Sequence, residues 1–472
     1  MKIDIKKYID NYYQGEKMVD NWQRGIKLLP FNSNPSSSGY DKKCGLQGIT
    51  GEFFRLWEND GSQPIEDFKS SIEEPLKEYL NDKRMPSAQL EEYVRMIKDI
   101  LYVDGNLNIS DSSFLKYLPL IPDDESISDR DKKKYKDGQK KLANYLFSML
   151  SPGIEKRNHT NRNLFIKILS EALTNFSSNT LERTIYDYKV LPYINSSFAE
   201  DLKWLMEQDE SVKVKYIRLL LYFYVCYSIT QTITCLNSKN KEENRGPVPF
   251  YFILNSERAS VNHDAVTRGW TFQIPKSTLD KLYGKSQALD ILNCILGGDI
   301  GFYDDIYAHL LETPFEENRE ACNTLLTLYQ EDKKSLLSKR KSEEDTSDEI
   351  VISVNSYHEF LETLEHLCMN LQSKSYIPRM RKKIIDLLSV RFLQSRRGNF
   401  VLALDNEMLT FLIALFTKSK KTKLEDMYKK FNSYGIYFNR GTRLAIEDYL
   451  LKLNLLDRKS DSGETQYVRV IL

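Results

Sequence analysis

The chain has 472 residues, with 67 Lys+Arg, 67 Asp+Glu and 5 His, and its formal net charge is zero. Hydrophobic residues make up 41% and charged residues 28%, which is enough apolar material for a packed core and excludes a wholly disordered chain. The 20 Gly and 14 Pro disfavour a sandwich or propeller of many short strands, and the neutral balance excludes a single, highly basic nucleic-acid module. We expect a mainly α protein with about two to four domains, or one extended helical body with an appendage.

The first 60 residues predict an irregular N-terminal segment, because prolines, a Ser run and closely spaced glycines are typical of turns and loops. Gly45, Gly48 and Gly51 follow one another at three-residue spacing, which suggests a phosphate-binding loop. That spacing differs from G-x-G-x-x-G, and no apolar strand precedes it within the loop. A structured loop is therefore favoured, with a helix starting after Gly51.

Residues 61–375 predict a helical body, since apolar residues such as Leu90, Tyr93, Val94 and Ile97 recur at helical spacing. The predicted helices cover 65–80, 87–101, 136–150, 163–176, 197–208, 211–236, 276–338 with a break at 297–298, and 354–371. One strand is predicted at 247–254. The polar stretch 331–349 predicts an exposed loop or linker.

An uncharged stretch at 219–238 has nearly the length of a membrane span. Its second half is rich in Ser, Thr, Gln and Asn, which lipid would leave without hydrogen-bond partners. The stretch therefore predicts a buried helix of a soluble core, with no membrane contact. The cysteines at 44, 226, 235, 294, 322 and 368 form no C-x-x-C pair, which is typical of buried thiols in a reducing compartment. Since the N-terminus lacks the apolar segment of a secretory signal, a cytoplasmic protein is predicted.

The charge is unevenly distributed along the chain. Residues 60–130 carry sixteen acids against eight bases. This excess indicates a solvated helical surface, a docking surface for a basic partner, or repulsion that keeps DNA off this side. Residues 378–472 carry 19 Lys+Arg against 10 Asp+Glu, a net charge of +9, so the rest of the chain carries −9. A basic end on an acidic body is the electrostatic pattern of a protein that binds a phosphate backbone.

The basic C-terminal part, residues 376–472, predicts a helix at 379–392 and then a winged helix over about 405–472. A first helix at 405–416 is followed by a basic connector at 418–423 and a second helix at 424–434, which Gly435 ends in a left-handed conformation. Asn439 predicts the N-cap of a third helix at 440–454, and alternating residues on both sides of a Ser–Gly turn predict a β-hairpin. This order predicts a mainly α fold, in which a multi-helical body precedes a C-terminal winged-helix domain.

Basic residues of this part are the predicted contacts to the phosphates of double-stranded DNA. They are Lys420, Lys421 and Lys423 of the connector, Arg440 and Arg443 of the third helix, Arg458 and Lys459 of the wing, and a second cluster of Arg396 and Arg397. Two alternatives stay open. Arg443 can form an ion pair with Glu447 four residues on, and a winged helix can serve only as a protein-docking unit.

No catalytic residue, metal site or cofactor is predicted. Gly284-Lys285-Ser286 resembles the end of a phosphate-binding G-x-x-x-x-G-K-[ST] loop, but Leu279 occupies the position of the first glycine. His358, His366 and Cys368 lack a second pair of zinc ligands, and Cys294 with His309 has no local signature of a nucleophile. His263-Asp264 with Arg258 and Arg268 favours a surface loop, or a contact to nucleic acid or a partner subunit.

A metal-dependent DNA nuclease is the enzymatic alternative. Asp123, Asp131 and Lys133 loosely imitate the carboxylate pair and lysine of such enzymes. Those residues normally lie on adjacent strands, whereas residues 123–138 read as a charged loop. The alternative is therefore weak. A scaffold that binds only proteins is the other alternative.

Three segments together resemble one known family. They are Lys27-Leu-Leu-Pro-Phe31 before a Gly-rich loop; Phe250-Tyr-Phe-Ile-Leu254 with Glu257-Arg-Ala-Ser260 and Arg268-Gly-Trp270; and Leu453-Asn-Leu-Leu-Asp-Arg-Lys-Ser-Asp-Ser-Gly463 with Gln466-Tyr-Val-Arg469. The chain resembles, over its whole length, the DptG (DndG) family, the G component of bacterial phosphorothioation-dependent restriction systems. The closing segment is the most specific part of the resemblance.

The resemblance implies a role in antiviral defence. Such systems replace a non-bridging phosphate oxygen of the host's DNA by sulfur and attack DNA that lacks this mark. The partners implied are the F and H components, which carry the nucleotide-dependent motor functions. The family offers no catalytic motif that transfers onto numbered residues here, so an adaptor subunit that binds DNA is the function expected.

Overall fold

The computed structural model describes residues 2–15, 17–18, 29, 45–59, 64–65, 72–103, 106–107, 111–121, 127–151, 154, 171–172, 191–237, 246–257, 276–297, 301–338, 352–372, 376–396, 399–458 and 466–471. The protein is mostly helical, so the mainly α prediction is confirmed. It divides into two compact units. The first comprises Met1–Pro35, Tyr186–Ile194 and Cys226–Leu472, and the second comprises Ser36–Ile185 and Asn195–Val225.

The helices of the described residues are, in chain order, α1 (Ile5–Tyr12), α2 (Gln47–Glu58), α3 (Glu74–Asp82), α4 (Ser87–Leu101), a 3-10 helix (Ser112–Tyr117), α5 (Asp129–Leu150), α6 (Pro192–Met206), α7 (Glu210–Asn237), α8 (Lys276–Leu296), α9 (Tyr303–Leu310), α10 (Phe315–Ser338), α11 (Tyr357–Asn370), α12 (Tyr376–Leu388), α13 (Asn406–Thr417), α14 (Leu424–Ser433) and α15 (Arg440–Lys452). The strands are β1 (Tyr13–Gln14), β2 (Lys17–Met18), β3 (Tyr102–Val103), β4 (Asn106–Leu107), β5 (Phe250–Tyr251), β6 (Ile253–Leu254), β7 (Leu393–Arg396), β8 (Asn399–Leu404), β9 (Thr422–Lys423), β10 (Ile436–Tyr437), β11 (Leu456–Arg458) and β12 (Gln466–Val468).

Several helices of the second unit follow the apolar periodicity of the sequence. The helix α4 has the predicted bounds, and Leu90, Val94, Ile97 and Leu101 form its buried stripe. These side chains belong to one apolar cluster with α3 and the 3-10 helix. Burial of a stripe at positions i, i+4, i+7 and i+11 is what fixes an amphipathic helix against its neighbours.

Gly48 and Gly51 have a packing role in the second unit. The helix α2 begins at Gln47, so the expectation of a loop up to Gly51 is wrong for these two residues, whereas Gly45 lies in a turn before the helix. A Cβ atom on Gly48 would lie 2.0 Å from the carbonyl oxygen of Leu120, and one on Gly51 would lie 2.8 Å from that of Leu118. The glycine spacing therefore marks the face on which a helix admits another backbone at close range.

A buried ionic network fixes the same contact. Arg55 is almost fully buried, and its Nε lies 2.7 Å from Glu52 Oε2. Its Nη1 donates to the carbonyl oxygens of Lys116, at 2.5 Å, and Leu118, at 3.1 Å. Lys116 Nζ in turn lies 3.0 Å from Glu58 Oε2. Since buried charges are tolerated only when paired and hydrogen-bonded, this network ties α2 to the chain around residue 117.

In the first unit, α8 and α11 pack closely at Gly284, where a Cβ atom would lie 2.6 Å from the Cα of Met369. Lys285 Nζ lies 3.5 Å from Glu365 Oε1, and the Ser286 hydroxyl donates to the carbonyl oxygen of Tyr283. The triplet Gly284-Lys285-Ser286 therefore lies within a helix and serves helix packing rather than phosphate binding.

The uncharged stretch of the sequence lies in α7. This helix is long and apolar enough to cross a membrane, but its most apolar window is 100% buried inside the protein, so the predicted burial is confirmed. In the first unit, Gln231 Nε2 donates to the carbonyl oxygen of Val248 at 3.0 Å, and Val248 N donates to Gln231 Oε1 at 2.8 Å. Thr230 and Thr234 donate their hydroxyls to carbonyl oxygens one turn earlier. The polar side chains of Thr230, Gln231 and Thr234 are thus satisfied within the protein.

The predicted strand at 247–254 is two short strands interrupted at Phe252. The strand β5 pairs in parallel with β10, and β6 pairs in parallel with β8. The strands β7 and β8 form an antiparallel hairpin, so β6, β8 and β7 make a three-stranded sheet. Ile253, Val401 and Ala403 form a buried cluster on it.

The last 67 residues contain the helices and the hairpin that the sequence predicts. Asp405 caps α13 through a 2.7 Å hydrogen bond from Met408 N, and Asn439 caps α15 through a 2.9 Å bond from Thr442 N. Gly435 has φ +73°, as its role as a left-handed cap requires. The strands β11 and β12 pair antiparallel, and β12 also pairs with β9, which gives a sheet in the order β11-β12-β9.

Other predictions need correction or lie outside the described residues. The helices α1 and α2 occupy parts of the 1–60 segment that the sequence predicts as irregular. The helix α10 extends through residues 331–338, which confirms the predicted helix up to 338 and corrects the expected polar loop in these residues. Polar composition misled there, because a helix needs only the narrow buried stripe of Leu325, Leu326 and Tyr329. Of the helix predicted at 163–176, only residues 171–172 are described, and they are helical.

The close approach at Gly48 predicts a strong steric effect on stability. The substitution Gly48→Ala is expected to lower the free energy of unfolding by about 1–3 kcal/mol or more, because the contact atom is backbone and cannot rotate away. The matched control is Gly441→Ala, also at the second position of a helix, where the nearest atom would be a side-chain oxygen at 3.6 Å. Urea denaturation of both variants measures the difference, and equal stabilities would refute the packing role of Gly48.

Candidate nucleic-acid interface

The three connector lysines lie on an exposed reversal of the chain between α13 and α14. The helix α13 ends at Lys418 and Ser419, which both have φ 50°. The chain then enters β9, whose residue Lys423 lies opposite Tyr467 in the register of the sheet. Lys420, Lys421 and Lys423 are all exposed. The sheet therefore fixes the backbone of the connector while its cationic side chains face solvent.

Lys421 belongs to a charge cluster on this sheet. Its Nζ donates to Asp457 Oδ2 at 2.7 Å and lies 5.5 Å from the ring centroid of Tyr467. Arg469 donates from Nε to the other oxygen of the same carboxylate at 2.5 Å. These two cations hold the pKa of Asp457 below its usual range, chiefly through the hydrogen bond from Lys421 and then that from Arg469. The carboxylate of Asp457 thus binds two cations and joins the connector to the hairpin.

Three of the predicted cations form no ion pair within the part of the chain that the structure describes, and one of them, Lys423, acts electrostatically on Asp426. Lys420, Lys423 and Arg440 are exposed, and no ion pair of theirs is found there. Arg440 is the first residue of α15, whose first turn contains no acid. A cation at a helix N-terminus is electrostatically unfavourable, whereas a phosphate at that end is favoured by the backbone N–H groups and the helix dipole. The charge at this end of α15 would therefore be compensated by an anionic ligand.

Arg443 is engaged within the module. Its guanidinium stacks 4.6 Å from the ring centroid of Tyr428, and its Nε donates to the carbonyl oxygen of Phe438 at 3.3 Å. Its ion pair is with Glu425, at 4.0 Å, rather than with Glu447, the partner suggested by the sequence. Tyr428 returns a hydrogen bond from its hydroxyl to the carbonyl oxygen of Arg443. Arg443 therefore holds α14 against α15.

The other four predicted residues are described only in part. Arg458 ends β11 opposite Gln466, and Arg396 ends β7 opposite Asn399. Both backbones lie at the tips of hairpins, and their side chains lie outside the description. Lys459 and Arg397 lie outside the described residues. The hairpin geometry still brings Arg458 and the connector to the same three-stranded sheet.

Sequence reasoning missed several exposed cations. Arg469 pairs with Asp457, and its position two residues after Tyr467 on an alternating strand is the signal that could have found it. Arg379 and Lys382, three residues apart on α12, are also exposed. Arg391, in contrast, lies 2.7 Å from both Asp405 and Glu407, so part of the basic excess is structural.

The thiols of the described residues are buried and unactivated. Cys226, Cys235, Cys294, Cys322 and Cys368 are free and buried, as predicted, and Cys44 lies outside the description. Burial raises the pKa of Cys294 to about 11 and that of Cys368 to about 12. A thiol needs a lowered pKa to act as a nucleophile at neutral pH. The pairing of Cys294 with His309 therefore gains no support.

The residues of the nuclease alternative do not lie on strands where they are described. Asp131 and Lys133 are in the first turns of α5, and Asp123 lies outside the described residues. Asp131 accepts a hydrogen bond from the Ser128 hydroxyl at the N-cap and pairs with Lys134. Among the described residues, no three His, Cys, Asp or Glu side chains are grouped to hold a metal ion. The cluster His263-Asp264 with Arg258 and Arg268 also lies outside the description.

No protein-family model matches the chain, and no curated protein matches it.

The cluster around Asp457 predicts a specific titration. Because the pKa of its carboxyl is lowered in the folded protein, the ion pairs contribute stability above the usual carboxyl pKa of about 3.9 and are lost as the pH falls through the lowered pKa. Replacing Lys421 and Arg469 by Gln is expected to raise the pKa of Asp457 toward that usual value. Carboxyl carbon NMR of protein labelled at aspartate, assigned with Asp457→Asn, measures the change.

An internal control for this titration is Asp426, whose pKa is lowered by Lys429 on α14. Its pKa should stay unchanged in the double variant. An unchanged pKa of Asp457 would show that the two cations do not hold this carboxylate in solution.

Proposed function

We propose that the chain is a non-catalytic, DNA-binding adaptor subunit of a bacterial phosphorothioation-dependent restriction complex, which acts on DNA without the sulfur mark. In this proposal the C-terminal part is a winged helix whose connector, wing and third-helix N-terminus contact the phosphate backbone of double-stranded DNA. The observation that carries the proposal is the set of exposed cations Lys420, Lys423 and Arg440 in one module, which form no ion pair among the described residues.

The order and pairing of the elements support the winged-helix assignment. Three helices, α13, α14 and α15, are followed by the hairpin of β11 and β12. A short strand between the first two helices, β9, joins the hairpin as its third strand. In a winged helix the third helix and the hairpin loop approach DNA together. The connector that carries the lysines and the predicted wing are thus parts of one three-stranded sheet.

The charge distribution supports phosphate contact rather than base recognition. Lysines without partners attract a polyanion at long range and release counterions on binding, but they carry no sequence information. Arg443, the central cation of the third helix, is occupied by Tyr428 and Glu425. We therefore propose a sequence-tolerant contact. The resemblance to the DptG (DndG) family supplies the restriction complex and its F and H components as partners.

Reversing the charge of the connector tests this proposal. Replacing Lys420, Lys421 and Lys423 by Glu is expected to weaken duplex binding by at least about tenfold near 0.1 M salt and to flatten its salt dependence, because up to three phosphate contacts are lost. Fluorescence anisotropy with a labelled duplex over a series of salt concentrations measures both effects.

The matched control reverses three exposed lysines of the second unit, Lys133, Lys140 and Lys141, which have no partner among the described residues. This variant has the same net charge as the connector variant and is expected to bind DNA nearly as the unmodified protein does. Asp457→Asn should act in the opposite direction, since it releases Lys421 and Arg469 for phosphate. Equal losses in both lysine variants would mean that net charge, and not the connector, determines binding.

A protein-docking function is the second candidate, and the exposed face of α15 favours it. Leu444 is 57% exposed and Leu451 is 38% exposed, and both lie on the same face as Arg440. Between them lies Asp448, which pairs with Lys452. An apolar and acidic face is unsuited to a DNA groove and is typical of a protein contact.

Substitution on this face distinguishes the two functions. Leu444→Ser with Leu451→Ser should abolish assembly with the partner components if this face docks protein, and it should leave duplex binding within about twofold if DNA meets only the connector and the helix N-terminus. Deleting residues 400–472 would be a poorer test, because Val401 and Ala403 belong to the buried cluster with Ile253. Co-purification and anisotropy of the same variant give both results.

A further inference from the structure

The first unit contains a cleft that none of the residues discussed as DNA contacts lines. It lies among α8, α9, α11 and the end of α7, and its volume is about 210 Å³. Its apolar wall is formed by Leu236 and Leu361. A volume of this size suits one small organic group rather than a long chain, and a mixed apolar and polar lining is typical of a ligand site.

The lining of the cleft carries a net negative charge. Asp304, Glu362 and Glu365 contribute three carboxylates, and Lys285 contributes the one permanent positive charge among the described lining residues. Lys285 Nζ lies 3.5 Å from Glu365 Oε1, and both side chains are largely buried. The lysine charge is therefore offset by Glu365, and the formal sum over the cleft is −2 with His358 neutral. Such a charge favours a cation and repels phosphates.

Two tyrosines add aromatic walls. Tyr303 and Tyr307 are four residues apart on α9, so they lie on one face of this helix. The hydroxyl of Tyr303 donates to the carbonyl oxygen of Lys285 at 3.1 Å, which fixes the orientation of its ring. Burial raises the pKa of Tyr303 well above its usual range, so this ring stays neutral. Neutral aromatic faces beside carboxylates attract ammonium and guanidinium groups through the ring quadrupole.

We propose that this cleft binds an organic cation, a guanidinium or primary ammonium group, between the two tyrosine rings and the carboxylates. The group would come either from an Arg or Lys side chain of a partner protein or from a free small amine. A compact metal ion is a poorer fit, because no three carboxylate, thiol or imidazole groups of the described residues are grouped to coordinate one. The proposal is independent of the DNA contact, since none of the proposed DNA contacts lines the cleft.

Calorimetric titration of the full-length protein tests the proposal with three probes. They are agmatine, an acetylated and amidated peptide with a single central Arg, and the same peptide with citrulline in place of Arg. Saturable binding of agmatine and of the Arg peptide, with at least about tenfold weaker binding of the citrulline peptide, is expected, because citrulline keeps the shape of Arg without its charge. Tighter binding of the Arg peptide than of agmatine would identify a protein partner as the source, and the reverse would identify a free amine.

Two variants tie the binding to the cleft. Tyr307→Leu is expected to weaken binding by about three- to thirtyfold, as loss of one aromatic face predicts. Glu362→Lys, on the exposed rim, is expected to weaken it by at least tenfold, since it reverses one of the charges. Its matched control is Glu320→Lys, an exposed residue of α10 in the same unit that does not line the cleft, which should bind as the unmodified protein does.

Absence of binding by both cationic probes, or equal binding of the Arg and citrulline peptides, would overturn the proposal. So would equal losses in Glu362→Lys and Glu320→Lys, because binding would then follow net charge and not the cleft. Circular dichroism of each variant verifies that the fold is intact, and duplex binding by Glu362→Lys is expected to be unchanged. The cation site can thus be refuted while the DNA contact is confirmed, and the DNA contact can be refuted while the cation site is confirmed.

Discussion

The parallel pairing of residues 250–254 is the constraint on which the first unit depends. This five-residue segment contributes β5 to one sheet and β6 to another, and both partner strands, β10 and β8, come from the last 75 residues of the chain. Parallel pairs cannot be closed by a tight turn, so long stretches of chain separate the two strands of each pair. The segment is therefore a non-local junction between the helices and the C-terminal elements.

Gln231 of α7 fixes the backbone just before this segment. Its amide makes two hydrogen bonds with the backbone of Val248, in the way that a neighbouring strand would. Tyr193 donates a further hydrogen bond to the same amide oxygen. A buried amide with both ends satisfied costs little and specifies one register, whereas an unsatisfied one costs about 1–3 kcal/mol. The polar residues that argued against a membrane span thus position the strand that holds the C-terminal part.

The neutral charge of the chain conceals cations of three kinds. Arg55 is buried in a network that fixes α2, Arg391 bridges two acids at the start of α13, and Lys423 is exposed and forms no ion pair among the described residues. Only the last kind can exchange counterions for phosphate at low cost, because the others would have to give up bonds that hold the fold. A count of Lys and Arg cannot separate these kinds. The relevant quantity is the number of cations that folding leaves unpaired.

Local features of the sequence predicted the elements well. Elements that depend only on neighbours within a few residues can be predicted from the sequence. They include the caps Asp405 and Asn439, the left-handed Gly435 and the buried stripe of α4. The roles of Gly48 and Arg443 could not be predicted in this way. Gly48 packs against a carbonyl oxygen 72 residues away, and Arg443 forms its ion pair with Glu425 of another helix instead of Glu447 of its own. Such roles depend on contacts between residues that are far apart in the chain, and these contacts cannot be inferred from a single sequence.

The helix α15 has a cationic N-terminal end and an exposed apolar surface on the same face. Its inner face, with Ile446 and Leu450, packs on the module, and its outer face begins with Arg440 and continues with Leu444. The helix dipole favours an anion at the first turn only, and its influence fades within that turn. The same face can therefore be suited to phosphate at its N-terminal end and to an apolar protein surface further along. In the proposed function, such a module would contact DNA and a partner subunit side by side, which is the geometry that an adaptor requires.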